Sequence, residues 1–208
     1  MRVIAFKSPK DEVEKRLIHE MYRLCARMLS GLLARKVLFG FCMQADTFDG
    51  VNTAYPFYWD PTDPAVGCAL PVAAEGGSRM RNVFPQRLSA GHRSTPRRII
   101  ESARSSVDTR SIADREQGGL HLAIFVMFAE IAEWSIRSGF RKIGKATDFR
   151  LDRIFRRTVW LFIRLGPPSQ IDETGSVAGL VPADRQSFDP LRPSSHSSHV
   201  ASLQEKAV

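Results

Sequence analysis

Apolar residues recur at three- and four-residue steps over 11–30: Val13, Leu17, Ile18, Met21, Leu24, Cys25 and Met28. Glu14, Lys15 and Glu20 stand off that stripe, so the segment is expected to form an amphipathic helix, with Gly31 placed to end it. Residues 54–60 are rich in aromatics (Tyr55, Phe57, Tyr58, Trp59) and predict a strand, where Pro56 favours an edge position. Asp60 to Pro64 is a turn, and Val66–Val72 a second strand, which makes 54–72 a hairpin. Arg97–Ala103 is a further strand centred on Ile99 and Ile100. The strongest helix covers about 120–138, apolar nearly all round at its start, with a Glu133–Arg137 pair at its wetter end and Gly139 as the residue after its cap. A strand over 140–146 follows, then Asp148 as N-cap of a helix over 149–158. That helix sets Leu151, Ile154, Phe155 and Thr158 on one face and Arg150, Arg153 and Arg157 on the other. Short strands at 161–165 and 176–181 close the pattern, and from Asp189 Ser, Pro and His dominate. The expected organisation is an α/β domain over 1–188 with a mixed sheet, followed by a disordered tail over 189–208.

Charge adds a second layer. The chain has 208 residues, 30 of them Lys or Arg and 22 Asp or Glu, a formal net charge of +8. The excess is local: residues 1–78 hold 9 basic and 9 acidic side chains, whereas 79–164 hold 18 and 8. A basic middle segment points to an anionic partner. The longest strongly apolar run, Leu120 to Ala132, is interrupted by His121 and Glu130, and is too short for a membrane span. The N-terminus turns charged after six residues and lacks the apolar core of a signal peptide. Three cysteines, Cys25, Cys42 and Cys68, have no C-x-x-C spacing and give neither a disulfide framework nor a metal site. A cytoplasmic chain with free thiols is expected. No phosphate-binding glycine loop is present, and Gly139 to Gly144 sits at a helix end, where a cap explains it.

The arrangement of segments carries more than any one of them. Asp46-Thr-Phe-Asp49, Tyr55, Val66-Gly-Cys68, Val83-Phe84-Pro85, Glu101-Ser-Ala-Arg104 and Val107-Asp-Thr109 occur in this order. Leu120-His-Leu-Ala, Phe128, Glu133-Trp134, Gly139, Thr147-Asp148, Arg153-Ile-Phe-Arg-Arg, Trp160, Arg164-Leu-Gly166, Ala178-Gly179 and Pro182-Ala-Asp-Arg185 continue it. The series resembles the acyl-homoserine-lactone synthases, the autoinducer-synthesis family of bacterial quorum sensing, over roughly residues 11 to 188.

The resemblance implies a three-layer α/β sandwich similar to the GNAT acyltransferases, with a sheet splayed to hold an acyl chain. It implies S-adenosylmethionine as a substrate rather than a cofactor, and acyl carrier protein as the acyl donor. Glu101 falls at the position of the general base. Asp46 and Asp49 would hold an arginine and help build the S-adenosylmethionine site. Arg104 would pair with them or orient substrate, and Phe84 would wall the pocket. Ser102, Ala103 and Thr147 would line the acyl cavity, Thr147 going with a 3-oxo chain.

Several positions depart from the family pattern. Cys25 stands where the family has Arg, Leu29 where it has Phe, Arg35 where it has Trp, and Leu70 where it has a strand Arg; Gln44 and Ser105 replace a Glu and a Phe. A neutral thiol cannot replace a fixed guanidinium, so these exchanges predict an impaired or altered donor site. Two other readings stand beside the enzyme. One is a non-catalytic paralogue that binds acyl carrier protein or a ligand. The other, weaker, is nucleic-acid binding through Arg150, Arg153, Arg156 and Arg157, which has no helix-turn-helix or interleaved aromatics behind it.

Overall fold

A computed structural model of the chain describes residues 2–6, 11–33, 55–60, 63–73, 98–107, 120–171 and 174–193. The elements run β1 (Arg2–Phe6), α1 (Glu12–Leu33), β2 (Tyr55–Asp60), β3 (Asp63–Ala73), β4 (Ile99–Val107), α2 (Leu122–Arg137), β5 (Lys142–Asp148), α3 (Phe149–Arg157), β6 (Ile163–Arg164), β7 (Ser169–Ile171), β8 (Thr174–Pro182) and α4 (Arg185–Leu191). The strands form one sheet in the order β1-β2-β3-β4-β5-β8-β6, with β7 also on β8. Every pair is antiparallel except β4 with β5. This is the expected mixed α/β sandwich. Helices α1 and α2 both cover β2, β3 and β4. The buried stripe of α1 (Leu17, Ile18, Met21, Leu24, Cys25, Ala26) is separate from the core cluster shared by α2, α3 and α4. The sheet therefore lies between two helical layers.

Several expectations change. Asp11 caps α1 by accepting from the Glu14 amide at 2.8 Å, and α1 continues through Gly31 instead of ending there. Val13 is exposed, one turn before the buried stripe begins. β1 was not expected; it pairs with β2 and takes the sheet edge, so Pro56 lies inside the sheet. Pro56 is tolerated because it faces Ala5 of β1, whereas the β2–β3 register starts one residue later at Phe57↔Cys68. The strand expected over 161–165 shrinks to Ile163–Arg164. The boundary expected after residue 188 falls inside α4, whose Leu191 is fully buried.

The C-terminal half matches its sequence closely. Gly139 follows α2 with φ 80°, a left-handed conformation that suits glycine. The Asp148 carboxylate accepts from the amides of Arg150 and Leu151, both at 2.9 Å, and so starts α3. Gly179 leaves room for close approach: a Cβ there would meet the Phe162 ring and come within 2.7 Å of the Ile163 carbonyl oxygen. Any larger residue would push β6 off β8. Phe128 of α2, Phe155 of α3 and Trp160 are all nearly or fully buried and lie with ring centroids 5.0 to 5.9 Å apart. The indole N–H of Trp160 donates to the Pro182 carbonyl at 2.8 Å, which fixes the cluster to β8.

Candidate functional site

The site is built where β4 and β5 part. Their parallel register has three pairs, Ile99↔Lys142, Ile100↔Ile143 and Glu101↔Gly144. Beyond Glu101, β4 continues to Val107 on β3, and β5 continues to Asp148 on β8. The sheet thus forks. Its closed end is pinned by Arg98, whose carbonyl accepts from the amides of Arg141 at 2.9 Å and Lys142 at 3.4 Å. Arg98 holds φ 77°, an uncommon conformation for a residue with a side chain.

Glu101 occupies the last rung before the fork and is 3% exposed. Ser102, the next residue, is also buried and by alternation faces the other side of the sheet. Thr147 is buried near the far end of β5. Ala103 lies on β4 opposite Leu70 of β3, and Arg104 follows it. Cys25 is fully buried in α1, which packs on β3 and β4, and Leu29 lies one turn further along the same helix. The structure therefore brings Glu101, Ser102, Ala103, Arg104 and Thr147 to the fork. Arg35, Asp46, Asp49 and Phe84 lie outside the described residues.

One residue at the fork has no counterpart in the sequence expectations. Lys145 is 4% exposed and sits one residue beyond the last β4–β5 rung. Its ammonium crosses to β4 and donates to the Ser102 hydroxyl at 3.3 Å, the Ser102 carbonyl at 3.5 Å and the Ser105 hydroxyl. The two hydroxyls are themselves 3.2 Å apart. The signal was present: Ile143, Lys145 and Thr147 share one face of β5 by their period of two, and a lysine at the centre of a core-facing row is unusual.

Two carboxylates behind the fork are shifted in opposite directions. Burial alone would push Asp152 up, but its contacts with Arg164 at 2.7 Å and Arg156 at 3.3 Å outweigh that and hold it below the ordinary carboxylate range. Glu130 of α2 is pushed up to about 8, first by burial and then by Glu133, against a smaller lowering by Arg137. The ordinary unfolded value for Glu is about 4.3. Between those two values the folded chain keeps a proton that the unfolded chain has lost. The contribution of Glu130 to stability therefore falls as pH rises from about 4.5 to about 8 and levels off above. Glu130→Gln abolishes that fall. The variant is expected to exceed the parent in unfolding free energy by a few kcal/mol at pH 8.5 and by little at pH 4.5. Urea unfolding at the two pH values checks this, and an equal difference at both would contradict it.

Among the described residues, no helix is long and apolar enough to cross a membrane. The sequence profile of the family described as autoinducer synthase matches residues 10–191. A protein of Sinorhizobium fredii (strain NBRC 101917 / NGR234), described as a "Probable acyl-homoserine-lactone synthase", is 37% identical over 203 residues, 97% of each chain. An acyl-homoserine-lactone synthase of Rhizobium radiobacter is 34% identical, covering 97% of this chain and 95% of its own. Among solved structures, the CoA-dependent acyl-homoserine lactone synthase BjaI, with SAM and isopentyl-CoA, superposes with a TM-score of 0.75. The match covers 91% of this chain and 86% of BjaI at 19% identity, which speaks to the fold. The same holds for FeeM, an N-acyl amino acid synthase from uncultured soil microbes: TM-score 0.61, 12% identity, 88% of this chain and 98% of its own. Family profile, relatives and forked sheet agree, and the chain belongs to the autoinducer synthase family, that of the acyl-homoserine-lactone synthases.

Proposed function

We propose that this chain joins an acyl group to S-adenosylmethionine and closes the product to an acyl-homoserine lactone. The observation that carries this reading is Glu101, buried on the last rung before the fork, beside the residues expected to line the acyl cavity. The amine of S-adenosylmethionine must lose a proton to attack, and the Glu101 carboxylate takes it, directly or through a water. The amine then adds to the thioester carbonyl. Backbone N–H groups along the fork stabilise the oxyanion. The C–S bond breaks, the thiol leaves and an amide remains. The methionine carboxylate next attacks its own γ-carbon, the bond to the sulfonium breaks, and methylthioadenosine departs as the lactone closes.

The acyl donor in this reading is acyl carrier protein. The basic excess of residues 79–164 and the exposed Arg150, Arg153, Arg156 and Arg157 of α3 complement an acidic carrier. A second reading, a paralogue that binds the carrier and turns over weakly or not at all, is favoured by one observation. Cys25 is fully buried where the family pattern has an arginine, so the donor site lacks that fixed cation.

One experiment separates the two. Purified full-length chain is given S-adenosylmethionine with acyl carrier protein or coenzyme A as acyl carrier, and products are followed by mass spectrometry. Equal amounts of lactone and methylthioadenosine, formed faster from the carrier protein, are expected. Carrier binding at low salt with no product supports the second reading. A folded chain that neither binds a donor nor makes lactone refutes both.

A further inference from the structure

We propose that the sheet edge at β6 and the adjoining end of α3 form a surface that rests on an anionic lipid bilayer, so that the chain lies on a membrane without crossing it. This goes beyond the reading of the fork and does not rest on it.

Residues 158–164 read Thr-Val-Trp-Leu-Phe-Ile-Arg, apolar without a break over 159–163. An extended run of that composition is ordinarily buried on both sides. Here only alternate positions turn inward. Trp160 packs against Phe128 and Phe155, and Phe162 stacks on Phe155 at 5.0 Å. The period of two sends Val159, Leu161 and Ile163 the other way, and they are 65%, 66% and 54% exposed. These are three of the five large apolar side chains exposed among the described residues. β6 ends the sheet and is bonded to β8 alone among the described residues, so the row stands on an outer edge.

The charge beside the row has one sign. Arg153, Arg156 and Arg157 of α3 are exposed, and Arg157 ends the helix two residues before Val159. Asp152 is the sole acidic residue between Phe149 and Gly166. It is buried and held by Arg156 at 3.3 Å and Arg164 at 2.7 Å, so this segment presents no carboxylate that would repel an anionic surface.

The aliphatic row decides between anionic partners. Nucleic acid would leave it in water. A folded acidic protein would have to offer a matching pocket to each projecting side chain, and Leu and Val are under-represented among the residues that carry protein–protein binding energy. A second copy of the chain would bring the arginines of one edge against those of the other. A bilayer needs no matching pocket: its fluid boundary takes apolar side chains while its phosphates meet the guanidinium groups.

The test is sedimentation of the full-length chain with vesicles of phosphatidylcholine, and with vesicles in which about a third of that lipid is replaced by phosphatidylglycerol. Affinity for the mixed vesicles is expected to be at least about tenfold higher and to fall as salt is raised. Leu161→Ser removes apolar insertion and leaves the charge, and should weaken mixed-vesicle binding about tenfold. Arg153→Gln together with Arg157→Gln leaves the row and should weaken it about twentyfold. If Leu161→Ser does not melt cooperatively, Val159→Ser carries the test. Failure of the parent chain to sediment with the mixed vesicles would overturn the proposal. Binding that the serine variant leaves unchanged would do the same, since it marks attraction by charge alone. A row already covered by protein would also overturn it. The signs are a dimer that Leu161→Ser turns into a monomer in gel filtration, or a serine variant that loses affinity for acyl carrier protein and none for vesicles.

Discussion

Replacing Glu101 by glutamine is expected to lower the turnover of lactone synthesis by about a hundredfold or more, with the fold intact. General-base catalysis by a positioned carboxylate is worth roughly 10²–10⁴ in rate. Glutamine keeps the size and one acceptor oxygen of the side chain but cannot accept the ammonium proton at neutral pH. Because Glu101 is 3% exposed and held on both sides by ladder partners, Val72 of β3 and Gly144 of β5, the amide has little freedom to recruit another base. Methylthioadenosine release gives the rate. The pH profile distinguishes lost base catalysis from a disturbed site. If Glu101 is the base, the parent and the glutamine variant should differ in the shape of their pH–rate profiles, the variant following only the availability of free amine. A turnover within about threefold of the parent, or a pH profile of unchanged shape, would remove Glu101 from the base role.

The sequence marks Glu101, Ser102 and Thr147 as candidates because their neighbours form a colinear motif. The structure adds what a motif does not carry, that the three residues stand at a fork whose closed end is held by the Arg98 carbonyl. Lys145 escaped because its one local signal, a place in the row Ile143, Lys145 and Thr147, does not say which face of the strand is buried. A lysine in a strand reads as a solvent-facing residue until the partner across the fork is known, and that partner is 43 residues away in sequence. The same contrast runs through the fold. Helices α2 and α3 are written in local signals, an apolar run and an aspartate cap, and both appear within two residues of expectation. β1 and β7 are short and draw their definition from the strands they pair with, which for β1 lie about 50 residues further along the chain. Pro56 was misplaced for a related reason: a proline is excluded by a hydrogen-bonded neighbour, and which neighbour reaches it depends on register rather than on composition. Gly31 is a permissive residue, and a helix whose buried stripe is anchored elsewhere can run through it at a cost of about 1 kcal/mol.

Phe128→Ala is expected to destabilise the chain by about 3–5 kcal/mol, the range for deleting a buried aromatic ring. In a chain of this size that corresponds to a fall in Tm of roughly 6–20 °C. The upper part of the range is expected because the cavity cannot close. Phe128 is fully buried, stacked on Phe155 at 5.0 Å and tilted against Trp160 at 5.2 Å. Phe155 is held from its own side by Phe162, also at 5.0 Å, and Trp160 is tied to the Pro182 carbonyl. Neither ring can swing into the space without giving up a partner. Phe128→Leu refills most of the volume and should cost less than half as much. Thermal unfolding of the two variants, followed by tryptophan emission, checks both values. A loss below about 1.5 kcal/mol for the alanine variant would mean that the cluster collapses and is not a rigid stack. The consequence extends to the site. Phe155 belongs to α3, and α3 begins at Asp148, the residue after Thr147 at the end of β5. The aromatic stack therefore holds one arm of the fork. In the alanine variant, acyl-analogue affinity should fall even well below the melting temperature, while Glu101, fixed by β3 on the other arm, keeps its place.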